Sequence, residues 1–531
     1  MCISSSSRRT LTGAAKAMRP SLDTSAASRS ATVPPLPPLP PAKAGKEEGT
    51  IASVFASLSG GTLEDALPDR FAQLKQSLVT SPSHAEHLHR TWRSILSSLS
   101  RRVSETVELG GDCIPELDFP STSSTTAAGP LENWTDAKTL DAIKQRGVAV
   151  IRNVIPSKHV LQWKQDIQVY AKLNRAKGFP QDNPQVYELY WTPAQLAARS
   201  HPNLLATCER FLQLFHRPLA CNTAAEDDIS KTCSLAHPLN YVDRLRIRQP
   251  GDSKFALGAH IDGGGIERWE CDEFRGLWHH ILTEGAEWQL HDPWSLGLNG
   301  ERMAAKTDMY GGPGQCGVFR PLQGWLSMSN TKAGEGTLKV LPFLKESTAY
   351  IVLRPFFTCI KPESACSSRE DYLAESNWRL DTTSRKFPGC SLGHNIELSP
   401  ETHPHLELNQ TMTSIPHVFP GDMVLWHCDA VHSVENRHDG KRDSSVMYIP
   451  AIPTTKLNWN YIIHQRRCFE QGLPPPDFPG GQGESTFHGR GTPDMVQGHT
   501  ARASLGLQSL PLPANMDAHQ KRLIDWCNEQ L

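Results

Sequence analysis

Apolar residues recur at intervals of three and four through "LPDRFAQLKQSLV" and "AEHLHRTWRSILSSLSRRVSETVELGG", which predicts two amphipathic helices, the second stopped by Gly110 and Gly111. "TDAKTLDAIKQRG" followed by "VAVIRNVI" predicts a capped helix feeding a buried strand, with a long helix from Ser157 toward Gly178 behind it. Helical spacing continues through "TPAQLAARSHPNLLATCERFLQLFH", where Pro202 breaks or kinks the run. From Arg244 the period shortens. "RLRIRQ" alternates apolar and basic residues, and "ALGAHI", "CGVF", "GWLSMS", "GTLKVLPF", "TAYIVLRPFF", "GDMVLWHC" and "SSVMYIPA" are short apolar runs between Gly-, Pro- and Asn-rich turns. That pattern predicts a β-sandwich or barrel. The expected organisation is a tail over 1–45, a helical region over 46–240 that buttresses the core, and a β core over 241–455 with an insertion near 361–416. A loop-and-helix extension over 456–531 follows, closed by the amphipathic "MDAHQKRLIDWCNEQL".

Composition narrows the partners. A net charge of −2 across 531 residues gives no electrostatic reason to expect nucleic acid or a membrane surface, so a small-molecule partner is expected. No apolar run reaches the roughly 18 residues a membrane-spanning helix needs. The 13 cysteines form no CxxC pair, which argues against a disulfide framework and for an intracellular, cytoplasmic home. The first 45 residues carry six basic groups against one acidic and end in "PPLPPLPP"; they lack core-forming material, and their Arg/Ser-rich character also fits a mitochondrial leader. Composition leaves the oligomeric state open.

Four His-x-Asp/Glu triplets occur, where 22 His and 56 acidic residues in this length would give about two by chance. His84/Glu86 falls in a helical pattern, where i and i+2 face apart, and reads as a surface coincidence. His405/Glu407 sits among prolines in "ETHPHLELN". In "GAHIDGGG", His260 and Asp262 share one face of a strand and could reach one ion with Ile261 turned into the core. His427/Asp429 lies in the run that also holds His432, and unbroken alternation would put His427 and His432 on opposite faces unless a bulge intervenes. After Asp262, "GGGIERWE" offers glycines for close approach and Glu267, Arg268 and Trp269 either as substrate contacts or as packing. Arg244, Arg246 and Arg248 share one strand face, most simply a solvated one.

His260-x-Asp262, a distant His432, and Arg442-x-Ser444 ten residues after it together resemble the Fe(II)/2-oxoglutarate-dependent dioxygenases. The longer stretches "RLRIRQPG", "LGAHIDGGGIERWE", "FRPLQGWLSMSNT" and "GDMVLWHCDAVHSVE" further resemble domain of unknown function 1479, over roughly residues 50–510. The resemblance implies an α+β chain with a double-stranded β-helix core, jelly-roll and cupin-like, flanked by N-terminal helices. It implies Fe(II) held by His260, Asp262 and His432, and 2-oxoglutarate anchored by Arg442 with Ser444. The spacing to Arg442 selects His432 over His427, which stands fifteen residues away. The implied reaction consumes 2-oxoglutarate and O2, releases succinate and CO2, and by default hydroxylates a small molecule. The alternatives are a cupin-like metalloenzyme that does not use 2-oxoglutarate and a non-catalytic metal-binding or interaction protein that keeps the fold.

Overall fold

Asp136 accepts a hydrogen bond from the Thr139 amide and Gly147 takes a left-handed φ of 69°, so the helix Ala137–Arg146 is capped at both ends and turns directly into the strand Val148–Arg152. Pro202 likewise ends one helix, Pro193–Arg199, and opens another, Pro202–Leu212. The computed structural model describes residues 49–59, 67–120, 129–217, 228–253, 256–513 and 516–531; the tail expected over 1–45 lies outside them.

The architecture is mixed α+β. Eight strands form one sheet in the spatial order Glu116–Asp118, Val148–Arg152, Met423–His427, Leu322–Ser327, Ser444–Tyr448, Leu245–Arg248, Val186–Tyr187 and Gly178–Phe179. It is antiparallel except at its first pair. The region expected to be helical, 46–240, thus also contributes four strands to it. A second, five-stranded antiparallel sheet runs Ile396–Glu397, His260–Ile261, His432–Val434, Leu338–Val340 and Thr413–Ser414. Two strands of this second sheet come from the expected insertion over 361–416. Among the described residues no sheet closes into a barrel.

One hydrophobic core lies on the larger sheet beneath the helices Ala137–Arg146, Ser157–Leu173 and Pro202–Leu212. Another joins the smaller sheet to the helices Pro82–Leu109 and Leu344–Leu353. That last helix corrects the strand expected at "TAYIVLRPFF". Its residues are buried on nearly every side, so no polar stripe betrays the helical period, and a continuous apolar run reads equally as a buried strand. "CGVF" forms no strand either; the Gly317 amide is bonded instead to the Asp477 carboxylate at 2.6 Å. His84 sits in the helix Pro82–Leu109, where its ring is buried against the Leu282 carbonyl at 2.8 Å rather than lying on the surface.

No described helix is long and apolar enough to cross a membrane.

Candidate metal centre

The strand His260–Ile261 pairs with His432–Val434 so that His260 and His432 stand directly opposite each other. Their rings lie 4.1 Å apart between centroids. Asp262 follows where that strand bends. Its carboxylate comes within 3.7 Å of His260 Nε2 and 3.8 Å of His432 Nε2, and one donor atom from each residue fits within a 4.8 Å span.

Each imidazole is fixed from behind. His260 Nδ1 is bonded to the Gly258 carbonyl at 2.7 Å and His432 Nδ1 to the Ala430 carbonyl at 3.0 Å. A carbonyl can only accept, so each Nδ1 carries a proton and each Nε2 is the nitrogen turned toward Asp262, the one a metal would take. Burial, and then the neighbouring His260, lower the His432 pKa to about 3, which keeps that ring neutral. Burial works to raise the Asp262 pKa, but His260, His432 and Arg320 outweigh it and hold the carboxyl below its ordinary range. Two imidazoles and an ionised carboxylate make a donor set for a divalent transition metal.

The carboxylate is also oriented. Asn395 Nδ2 donates to Asp262 Oδ1 at 2.9 Å and Arg320 Nη2 to Oδ2 at 3.3 Å. The glycine run makes the first contact possible: a Cβ on Gly265 would lie 2.3 Å from the His394 carbonyl, so only glycine lets the Asn395 loop approach. Asn395 lies 133 residues from Asp262 and carries no local motif that could have revealed it.

A cavity of about 170 Å³ opens at this cluster, lined from both large sheets. Alternate residues of three adjoining strands face it: Arg244, Arg246 and Arg248; Ser444, Val446 and Tyr448; Gln323, Trp325 and Ser327. The arginine row therefore faces an internal site, not solvent. Phe55 closes another wall, its ring edge-on to the His260 ring with centroids 4.7 Å apart, and its neighbour Val54 accepts a backbone hydrogen bond from Asn395 at 3.0 Å.

Ser444 lines the cavity, but Arg442 does not. Its side chain is exposed in the bend before the strand, which starts only at Ser444, so the alternation that aims residues inward has not begun at 442. Arg246, across the ladder from Val446, occupies the interior in its place.

The neighbouring His427–Asp429 triplet is also buried and clustered, but its donors are committed. His427 ends a strand of the eight-stranded sheet, and the chain then crosses to the five-stranded sheet before His432, so the two histidines do not share one strand. His427 Nε2 is bonded to the Pro293 carbonyl at 3.0 Å, and its Nδ1 accepts from the Asp429 amide at 3.0 Å. Asp429 pairs with Arg268 at 2.8 Å and Arg302 at 2.9 Å. Arg268 is thereby a buried structural cation, and Trp269 packs with its indole N–H donated to the Val352 carbonyl. His405 is enclosed likewise, held by the Tyr350 hydroxyl and the Leu373 carbonyl.

The model of the Gig2-like family matches residues 65–507. A Candida albicans protein, GlcNAc Inducible Gene 2 (GIG2, DUF1479), is 30% identical and superposes with a TM-score of 0.74 over 87% of this chain and 95% of its own. An Escherichia coli (strain K12) relative, YbiU, described as uncharacterized, is 28% identical over 85% of this chain and 99% of its own length. A Salmonella typhimurium LT2 structure titled "Putative Oxidoreductase" is 27% identical, with a TM-score of 0.66 over 83% of this chain and 99% of its own.

Proposed function

The chain belongs to the Gig2-like family, and on that premise we propose that it is an Fe(II)- and 2-oxoglutarate-dependent oxygenase acting on a small molecule. The observation that carries this reading is the convergence of His260, Asp262 and His432 on the wall of a cavity that also holds Arg246 and Ser444. The name borne by the Salmonella relative points the same way. We read the facing eight- and five-stranded sheets as the two walls of a double-stranded β-helix.

His260 Nε2, His432 Nε2 and the Asp262 carboxylate would hold the metal, which when bound supplies O2 activation coupled to decarboxylation of 2-oxoglutarate. The chain supplies the rest. The Gly258 and Ala430 carbonyls keep both imidazoles in the metal-binding tautomer, and Asn395 sets the angle of the carboxylate. Arg246 presents a planar, permanently charged fork to the distal carboxylate of the cosubstrate, with the Ser444 hydroxyl as a further donor on the adjoining strand. Trp325, Trp426 and Phe55 keep the walls apolar, which strengthens those charged contacts by excluding water.

The test is anaerobic titration of Fe(II), then 2-oxoglutarate, into the purified chain, followed by exposure to O2 with a metabolite extract. Stoichiometric binding of both, succinate formation and a mass gain of one oxygen in an extract component support the reading. Metal binding without 2-oxoglutarate binding would replace it with a cupin-like metalloprotein.

A further inference from the structure

The metal and cosubstrate assigned above leave one cavity charge unmatched. Four arginines line the cavity, at positions 244, 246, 248 and 320, with Asp243 and Asp262. Arg248 is closed to any ligand: its N–H groups meet the Asp252 carboxylate at 2.8 Å and the carbonyls of Gly336, Asp252, Glu435 and Asn436. Arg244 is held by Asp243 at 3.1 Å. Arg246 is the cation assigned to 2-oxoglutarate.

Arg320 differs from all three. Among the described residues its one hydrogen bond goes from Nη2 to Asp262 Oδ2, and its guanidinium lies 5.8 Å from the Tyr241 ring centroid. Asp262 is the carboxylate that would bind the metal, so metal binding weakens the one ion pair Arg320 makes, while Asp243, the other anion near it, is already engaged by Arg244. Counting Asp252 with the lining carboxylates, four cations face three anions. A divalent metal raises the surplus to three positive charges, and a dianionic cosubstrate returns it to one. A partly buried guanidinium without a full counter-charge is costly, and a ligand anion would satisfy it.

Resting on the metal and 2-oxoglutarate reading, we propose that the substrate is a small monocarboxylate whose anionic group is received by Arg320. The rest of the molecule lies against Tyr241 and Phe478, which line that part of the cavity. Arg320 is then a substrate-recognition residue, and neutral analogues are rejected because they leave it unpaired.

Ligand-observed NMR on Mn(II)-loaded protein tests this without turnover, through the relaxation that the metal imposes on nearby ligand protons. The probes are propanoate and hexanoate, each beside its primary amide, added to protein saturated with 2-oxoglutarate. Both acids are expected to bind roughly tenfold or more tightly than their amides, with protons relaxed by the metal. Arg320→Gln is expected to abolish the preference for acid over amide, and Arg320→Lys to restore part of it, which separates charge recognition from misfolding. Equal binding of acid and amide to the unmodified chain overturns the proposal, as does a preference that survives in Arg320→Gln. Displacement of 2-oxoglutarate by the acids one for one also overturns it, since a single anion site would then serve both. Failure of 2-oxoglutarate itself to bind the metal-loaded protein defeats the underlying reading instead, and the titration without acids reports that outcome separately.

Discussion

His260–Asp262 and His427–Asp429 are the same triplet, the second fully enclosed and the first with a half-buried carboxylate, and both are clustered with a third metal-capable side chain. In the first, each imidazole spends Nδ1 on a carbonyl and keeps Nε2 open toward the carboxylate. In the second, both ring nitrogens of His427 are bonded and the carboxylate is neutralised by two buried arginines. Donor type and proximity are therefore not enough to make a metal site; the lone pairs must also be left over after the protein has satisfied its own polar groups.

Exchanging the fates of the two clusters by mutation gives the largest effects. His260→Ala, Asp262→Ala and His432→Ala are each expected to weaken Fe(II) binding by more than the roughly 10–100-fold that loss of a supporting hydrogen bond costs, with little loss of stability. Asp429→Ala is expected to do the reverse. It strands Arg268 and Arg302 without a counter-charge and should destabilise the fold by about 3–5 kcal/mol in urea unfolding, while the folded fraction still binds one metal. Metal loss in Asp429→Ala with normal stability would erase the distinction between the clusters.

The cosubstrate anchor is the next effect in size. A charge-assisted hydrogen bond is worth about 1.5–3 kcal/mol, so Arg246→Ala should raise the 2-oxoglutarate Kd by roughly 10- to 150-fold in anaerobic calorimetry. Arg442→Ala, an exposed position, should leave it unchanged. The reverse ranking would return the anchor to Arg442.

The mildest effect is on pH dependence. Burial, and secondarily Arg302, lower the His427 pKa to about 4, against the pull of Asp429. An unfolded histidine titrates near about 6.5, so between these values the unfolded chain binds the proton that the native state refuses. Stability from this group is complete above the unfolded value and is lost as pH falls toward about 4. His427→Gln should flatten the dependence of the urea midpoint on pH across that window, and an unaltered slope would mean that the native ring can be protonated.

The sequence by itself determined the elements whose signals are local. The Asp136 and Gly147 caps, the helix break at Pro202 and the strands at Leu322–Ser327 and Met423–His427 all follow from period and punctuation. It also brought His260, Asp262 and His432 forward, because a strand's period of two and a family spacing are both written along the chain. Tertiary structure alone decided what those residues meet. That Arg246 faces the cavity and Arg442 the solvent depends on where a strand begins and which sheet face is covered. That "TAYIVLRPFF" is a helix depends on burial from all sides, which removes the polar stripe a sequence would need to announce it. Asn395 reaches Asp262, and Asp429 is taken up by Arg268 and Arg302, through contacts between residues more than a hundred positions apart. Hydrogen-bond satisfaction is a property of neighbours in space, so which histidine keeps a free lone pair is settled only when the sheets have packed.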